Sequence, residues 1–269
     1  MQKAVSRDGT VIAYDRTGRG PALVIVGGAF QVREHPSWIR LADLLGEQYT
    51  VVRYDRRGRG DSGDTAPYDV AREVEDLAAV MAELEGPVRV MGMSSGAVLA
   101  LEAAARGLPI AELALYEPPF VVEDSRPPVP ADYIGRLDAL LAEGRRAEAV
   151  AYMLTTAVQV PAQHVEGMRE APLWDHFVAV AHTLAYDARV VGDTMEGRPL
   201  PADRWAAVDI PVLAIGGGAS DTWLQAGARA LADLLPTAVH RTLEGQTHDV
   251  DPAALAPALA EFFGRDQAR

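Results

Sequence analysis

The apolar run Val88-Arg89-Val90-Met91 leads straight into Gly92-Met93-Ser94-Ser95-Gly96, and a helix-prone segment begins at Ala97. That order reads as strand, sharp turn, helix. It constrains the fold more than any other stretch, because the turn must lift one serine beyond the C-terminal end of a sheet with its backbone strained. Gly92 and Gly96 flank the serine where strand and helix backbones come close and a Cβ would clash. The new helix aims free N–H groups at whatever Ser94 attacks.

The surrounding chain supplies the sheet this turn needs. Asp8-Gly9 separates two short strand-like runs, a hairpin signal. Ala22-Leu23-Val24-Ile25-Val26 is a continuous β-rich run of the kind buried on both faces, ending at Gly27-Gly28-Ala29-Phe30. Pro36 to Leu45 fits a short amphipathic helix, and Tyr49 to Tyr54 the next strand. Asp69 is placed to cap a helix whose Val70, Val74, Leu77, Met81 and Leu84 recur at helical spacing. After Leu113-Ala114-Leu115-Tyr116 the alternation stops. Residues 131–195 read as helices only, among them one near 147–158 and one carrying Trp174, Phe177 and Leu184. Strands return at 210–215 and 239–243, and Asp251-Pro252 opens the last helix.

Strands alternating with helices predict an α/β fold, a mostly parallel sheet with helices on both faces. The predicted core is 1–120 with 206–269, and 121–205 is a helical lid inserted between two strands. Ligands of such sheets bind beyond the C-terminal strand ends. Gly27-Gly28-Ala29, Asp55, Ser94 and Glu117 all fall there.

Composition narrows the function. The net charge of −13 disfavours a nucleic-acid partner and an anionic membrane surface. Without cysteine there is no disulfide, thiolate metal site or cysteine nucleophile. No signal-peptide core or bilayer-length apolar run is read, so a soluble, cytoplasmic protein is expected. No metal spacing and no phosphate loop are found, and no cofactor is expected. The expected partner is a small-molecule substrate.

With these pieces in place the chain resembles the α/β-hydrolase superfamily, and within it the capped hydrolases: C–C bond hydrolases, small esterases, lactonases and cofactor-free haloperoxidases. The resemblance rests on Gly92-Met93-Ser94-Ser95-Gly96, on Asp55-Arg56-Arg57-Gly58-Arg59-Gly60-Asp61-Ser62, on the helical insert after Tyr116, and on His248 before the last helix. It implies an eight-stranded sheet with a helical cap after strand 6. It also implies a triad in the order nucleophile, acid, histidine, met by Ser94, Asp221 and His248. Histidine can take the serine proton and return it to a leaving group, and a carboxylate orients the imidazole. Asp221 is the preferred acid, counted from the glycines at 216–218; Glu117, at the previous strand end, is the alternative. Ser95 N–H and Ala29 N–H, with Gly28 as a substitute, are the expected oxyanion donors. Phe30, Met93, Met153, Trp174, Phe177 and His182 are expected to face substrate, Phe30 and Met93 reading equally well as core. Asp55, Arg57 and Asp61 read as solvated residues bracing their loop.

The expected activity is cleavage of a small, fairly apolar ester, lactone or related carbonyl compound through an acyl-enzyme. Two other readings stay open: a lyase or cyclase using the same pocket without acyl transfer, and a receptor-like ligand-binding protein.

Overall fold

Ala22 to Val26 is buried along its whole length, and the sheet is built outward from it. The computed structural model describes residues 1–264. The first strands are β1 (Gln2–Val5), β2 (Val11–Gly18), β3 (Ala22–Val26) and β4 (Thr50–Tyr54). The remaining four are β5 (Val88–Met93), β6 (Ile110–Tyr116), β7 (Val212–Gly217) and β8 (Ala238–Leu243). They form one eight-stranded sheet in the order β1-β2-β4-β3-β5-β6-β7-β8. The pairs β1–β2 and β2–β4 are antiparallel, and all others are parallel. The chain runs from β3 to β4 on one side, then to β5 on the other. The crevice beyond β3 and β5 is thus a topological switch point, where open α/β sheets hold ligands.

Side-chain alternation sorts the helices onto two faces. Leu23 and Ile25 point to one face, where helices α1 (Pro36–Leu45) and α10 (Pro252–Phe263) contribute Trp38, Leu41, Leu255 and Phe263. Val24 and Val26 point to the other, among residues of α2 (Val70–Ala82) and α3 (Ser95–Ala105). Asp69 caps α2, its carboxylate accepting from Ala71 N–H at 2.7 Å. Asp251 does the same for α10, accepting from Ala253 N–H at 2.8 Å.

Between β6 and β7 the chain is helical: α4 (Tyr133–Ala142), α5 (Arg146–Thr156), α6 (Ala162–Met168), α7 (Pro172–Ala179) and α8 (Leu184–Val191), followed by 3-10 turns. Two details differ from the sequence reading. The helix drawn through Trp174 and Leu184 is two helices, broken by a 3-10 turn at Ala181–Thr183. The short α6 has no counterpart in the reading, its polar sequence showing little periodicity. After β7 comes α9 (Thr222–Leu234). No helix among the described residues is long and apolar enough to cross a membrane.

Candidate active site

Ser94 stands between the last residue of β5 and the first of α3, at φ 54° and ψ −126°. A positive φ is costly for a residue with a Cβ and survives only where the surroundings impose it. The neighbouring glycines show what imposes it. A Cβ on Gly96 would sit 2.3 Å from Val26 O, and one on Gly92 would sit 2.6 Å from Ala97 Cα. Strand β3, strand β5 and helix α3 are packed too closely for side chains at either position.

His248 follows β8 in the loop leading to α10. Its Nδ1 lies 2.7 Å from Glu117 Oε2. Glu117 directly follows β6, is fully buried, and accepts Gly217 N–H on Oε1 at 2.7 Å. Both carboxylate oxygens are therefore occupied and the ring is held on one side, leaving Nε2 as its other nitrogen. The histidine loop is tied down again by Tyr116, whose hydroxyl donates to Thr247 O at 2.6 Å. Burial pushes the Tyr116 phenol well above its ordinary pKa, so it stays a donor.

The preference for Asp221 is corrected by this geometry. Asp221 is the exposed N-cap residue of α9 and lines the cavity, and the carboxylate on His248 is Glu117. The glycines at 216–218, from which Asp221 was counted, have another use. A Cβ on Gly217 would lie 2.4 Å from Gln246 O and 2.8 Å from Tyr116 Oη. The small residue admits the histidine loop against β7 and leaves its N–H facing Glu117.

Ser94 and His248 line one cavity of about 200 Å³, together with Ala29, Ser95 and Asp221. The rest is mostly apolar and comes largely from the helical stretch: Val129, Ile134, Met153, Val158, Leu184 and Met195. Among the described residues no acceptor takes the N–H of Ala29 or of Ser95. Gly28 is different. Its N–H donates to Gln31 Oε1 at 2.6 Å, so it is not free to serve a ligand.

Of the residues expected to face substrate, Met153 lines the cavity. The others do not. Met93 belongs to the core on the opposite sheet face, its sulfur 3.6 Å from Gln31 Nε2. Phe30 stacks on Phe177 at 4.2 Å between ring centroids, and its carbonyl lies 2.7 Å from His176 Nε2. Trp174 is buried in core, and His182 packs near Gly58 and Asp64. Trp174, Phe177 and His182 are plausible by chain order, but side-chain direction in the helical stretch between β6 and β7 depends on how its helices pack; Phe30 and Met93 follow their core reading.

The arginine loop after β4 also departs from the reading. Asp55 and Arg57 brace it, but both are fully buried rather than solvated. Arg57 makes a two-pronged pair with Asp76 at 2.7 and 2.8 Å and reaches Asp8 at 3.1 Å. Asp55 accepts Arg33 N–H at 2.6 Å and Asp61 N–H at 3.0 Å, and Asp61 itself is exposed.

One group was missed altogether. Asp187, on α8, is buried and lines the cavity. Its oxygens take Arg56 Nη1, Arg59 Nη2 and Ser95 Oγ, each at 2.6 Å. Burial works against its charge, but the Arg59 and Arg56 guanidiniums hold its pKa below the usual carboxylate range. The signal was present: three arginines within four residues, in a loop entering the core, demand buried carboxylates. Among the described residues no group of three His, Asp or Glu side chains is arranged to hold a metal ion.

Comparison with known proteins agrees with this architecture. A model of an alpha/beta hydrolase family matches residues 23–258. An alpha/beta hydrolase from Sphaerobacter thermophilus superposes with a TM-score of 0.90 at 54% identity, covering 97% of this chain and 100% of that one. The enol-lactonase of Burkholderia xenovorans shares the fold at a TM-score of 0.70 and 22% identity, covering 98% and 100%. Proline iminopeptidase PfmaB of Pestalotiopsis fici is 30% identical over 105 residues, a stretch spanning only 37% of each chain.

Proposed function

The chain belongs to the alpha/beta hydrolase family and is a hydrolase, and on that premise we propose that it cleaves a small, uncharged, fairly apolar ester, lactone or related carbonyl compound through an acyl-enzyme. The observation that carries the proposal is the 2.7 Å contact between Glu117 and His248 Nδ1 at the cavity that also holds the strained Ser94. A neutral serine hydroxyl is a weak nucleophile and needs a base beside it. Glu117 fixes the imidazole with Nδ1 protonated and favours its charged form as it accepts a proton. Nε2 then takes the Ser94 proton as Oγ attacks the carbonyl carbon.

Negative charge collects on the carbonyl oxygen, and the N–H groups of Ala29 and Ser95 receive it. Preoriented donors of this kind contribute about 10²–10³-fold each. The imidazolium passes its proton to the departing oxygen. A water molecule, deprotonated by His248, attacks the acyl carbon and releases the acid and Ser94. The helical stretch between β6 and β7 acts as the cap, and its apolar side chains select the substrate. A cavity of about 200 Å³ favours short acyl groups.

The test is labelling by a fluorophosphonate, read by intact mass. The wild type is expected to gain one adduct, lost in Ser94→Ala and His248→Ala. Glu117→Gln is expected to slow labelling sharply, while Asp221→Asn stays near the wild-type rate. A folded wild type that stays unlabelled while a control hydrolase reacts would sink the proposal and shift attention to lyase or cyclase chemistry.

A further inference from the structure

Gly28 O is the hinge of a second device beside the serine. Arg59 Nη1 donates to it at 2.6 Å, and Arg56 Nη1 lies 3.4 Å from Gly27 O. A trans peptide points its C=O and N–H in opposite directions. Gripping Gly28 O from the Arg59 side therefore aims the N–H of the same peptide, that of Ala29, the other way. Ala29 lines the cavity and Arg59 does not. A hydrogen bond to the carbonyl also polarises the peptide and makes its N–H a stronger donor.

The same carboxylate that holds Arg59 holds the other donor. Ser95 Oγ donates to Asp187 Oδ1 at 2.6 Å, which pins the first residue of α3 and its N–H. Arg56 Nη1 stands 3.3 Å from that hydroxyl and pairs in two-pronged fashion with Glu73 at 2.7 Å on each contact. Glu73 in turn accepts the Tyr68 hydroxyl at 2.7 Å. Arg56 and Arg59 are thus balanced by Glu73 and Asp187, all buried. A buried cluster of this kind is costly when any member is missing, so its geometry is tightly set.

We propose that Asp187, supplied by α8 of the insertion, is a positioning residue that sets both oxyanion donors, Ala29 N–H through Arg59 and Ser95 N–H through its hydroxyl. The insertion then completes the reaction centre as well as shaping the pocket. The inference rests on the acyl-enzyme reading above.

The experiment compares fluorophosphonate labelling rates and steady-state cleavage of a short neutral p-nitrophenyl ester. The variants are Asp187→Asn, Arg59→Gln, their double, and Asp138→Asn. Asp138 pairs with Arg189 on the insertion at 2.7 Å and lies outside the network, so it serves as the control. Asp187→Asn and Arg59→Gln are each expected to lower kcat and the labelling rate by about 10- to 100-fold, with KM changed less than about threefold. The double variant is expected to lose little more than the worse single one, because the two act as a unit. Asp138→Asn should match the wild type. Should Asp187→Asn fail to fold, Ser95→Ala decides: it removes one hydroxyl from the carboxylate and keeps the N–H, and a roughly threefold to tenfold slower labelling is expected.

Folded variants that label at the wild-type rate would overturn the inference. So would a raised KM with kcat held, which would mean that Asp187 merely shapes the pocket. Failure of the wild type itself to label is a different result: it removes the hydrolase reading, and the inference falls with it.

Discussion

Glu117 shows how much one side chain can decide. It is buried with φ at 43°, a left-handed conformation costly for a residue with a Cβ, and both its oxygens are hydrogen-bonded. Replacing it with glutamine keeps size and shape but removes the charge that favours a protonated imidazole. Glu117→Gln is therefore expected to cut kcat by about 10⁴-fold with little loss of thermal stability. Asp221→Asn, on an exposed cap position, should alter kcat less than about threefold. Steady-state kinetics and a thermal melt on the two variants check this, and the opposite ranking would reinstate Asp221.

At the scale of elements, the arginine loop after β4 is a junction box. Arg57 ties it to Asp76 on α2 and to Asp8 in the β1–β2 turn, whereas Arg56 and Arg59 tie it to α8. Asp76 is buried deeply enough that its pKa is raised despite Arg57. Arg57→Leu leaves that carboxylate without its partner and should cost about 3–5 kcal/mol of stability. Arg57→Leu with Asp76→Leu should recover most of it. Urea denaturation of the single and double variants measures both, and a double variant no better than the single would show that the loop is held by something other than this pair. The loop's arginines and Asp55 were readable as loop-bracing, but not their burial. A charged residue reads as solvated until its partners are known, and those partners come from elements as distant in sequence as α2 and α8.

For the whole molecule, protonation sets the acid limit of stability. Burial depresses the pKa of His35, and likewise of His182 and His240, where Arg146 and Arg229 add to it. The unfolded chain therefore binds more protons near and below pH 6.5. The stability these groups contribute is fully present above that pH and is lost as pH falls through their lower folded values. A second loss follows below about pH 4. Hydrogen bonds from Thr10 and the Arg57 guanidinium, acting against burial, hold Asp8 down to about 2. Asp187 is likewise lowered. The melting temperature should fall from pH 7 to pH 5 and again below pH 4, and His240→Gln should lessen the first fall. A flat profile between pH 7 and 5 would contradict this.

Charge acts on substrates at the same scale. The chain carries −13, and among the described residues the cavity lining includes Glu196 and Asp221, besides the arginine-paired Asp187, and no lysine or arginine. A neutral short ester should be cleaved with a kcat/KM about tenfold or more above that of its carboxylate-bearing analogue at low salt, the gap narrowing as salt rises. Equal rates at all salt concentrations would count against it.

What the sequence determined by itself was whatever is encoded locally. Apolar runs and turn residues marked the strands, Gly92 and Gly96 marked the strained serine, and chain order put His248 after the last strand. Tertiary structure decided which carboxylate meets the imidazole, which side chains of the helical stretch between β6 and β7 face the cavity, and that Asp187 gathers Arg56, Arg59 and Ser95. The physical reason is range. Strand and turn preferences are settled within a few residues, whereas those contacts join groups 92 to 131 positions apart, and only the packing of sheet and helices brings them together.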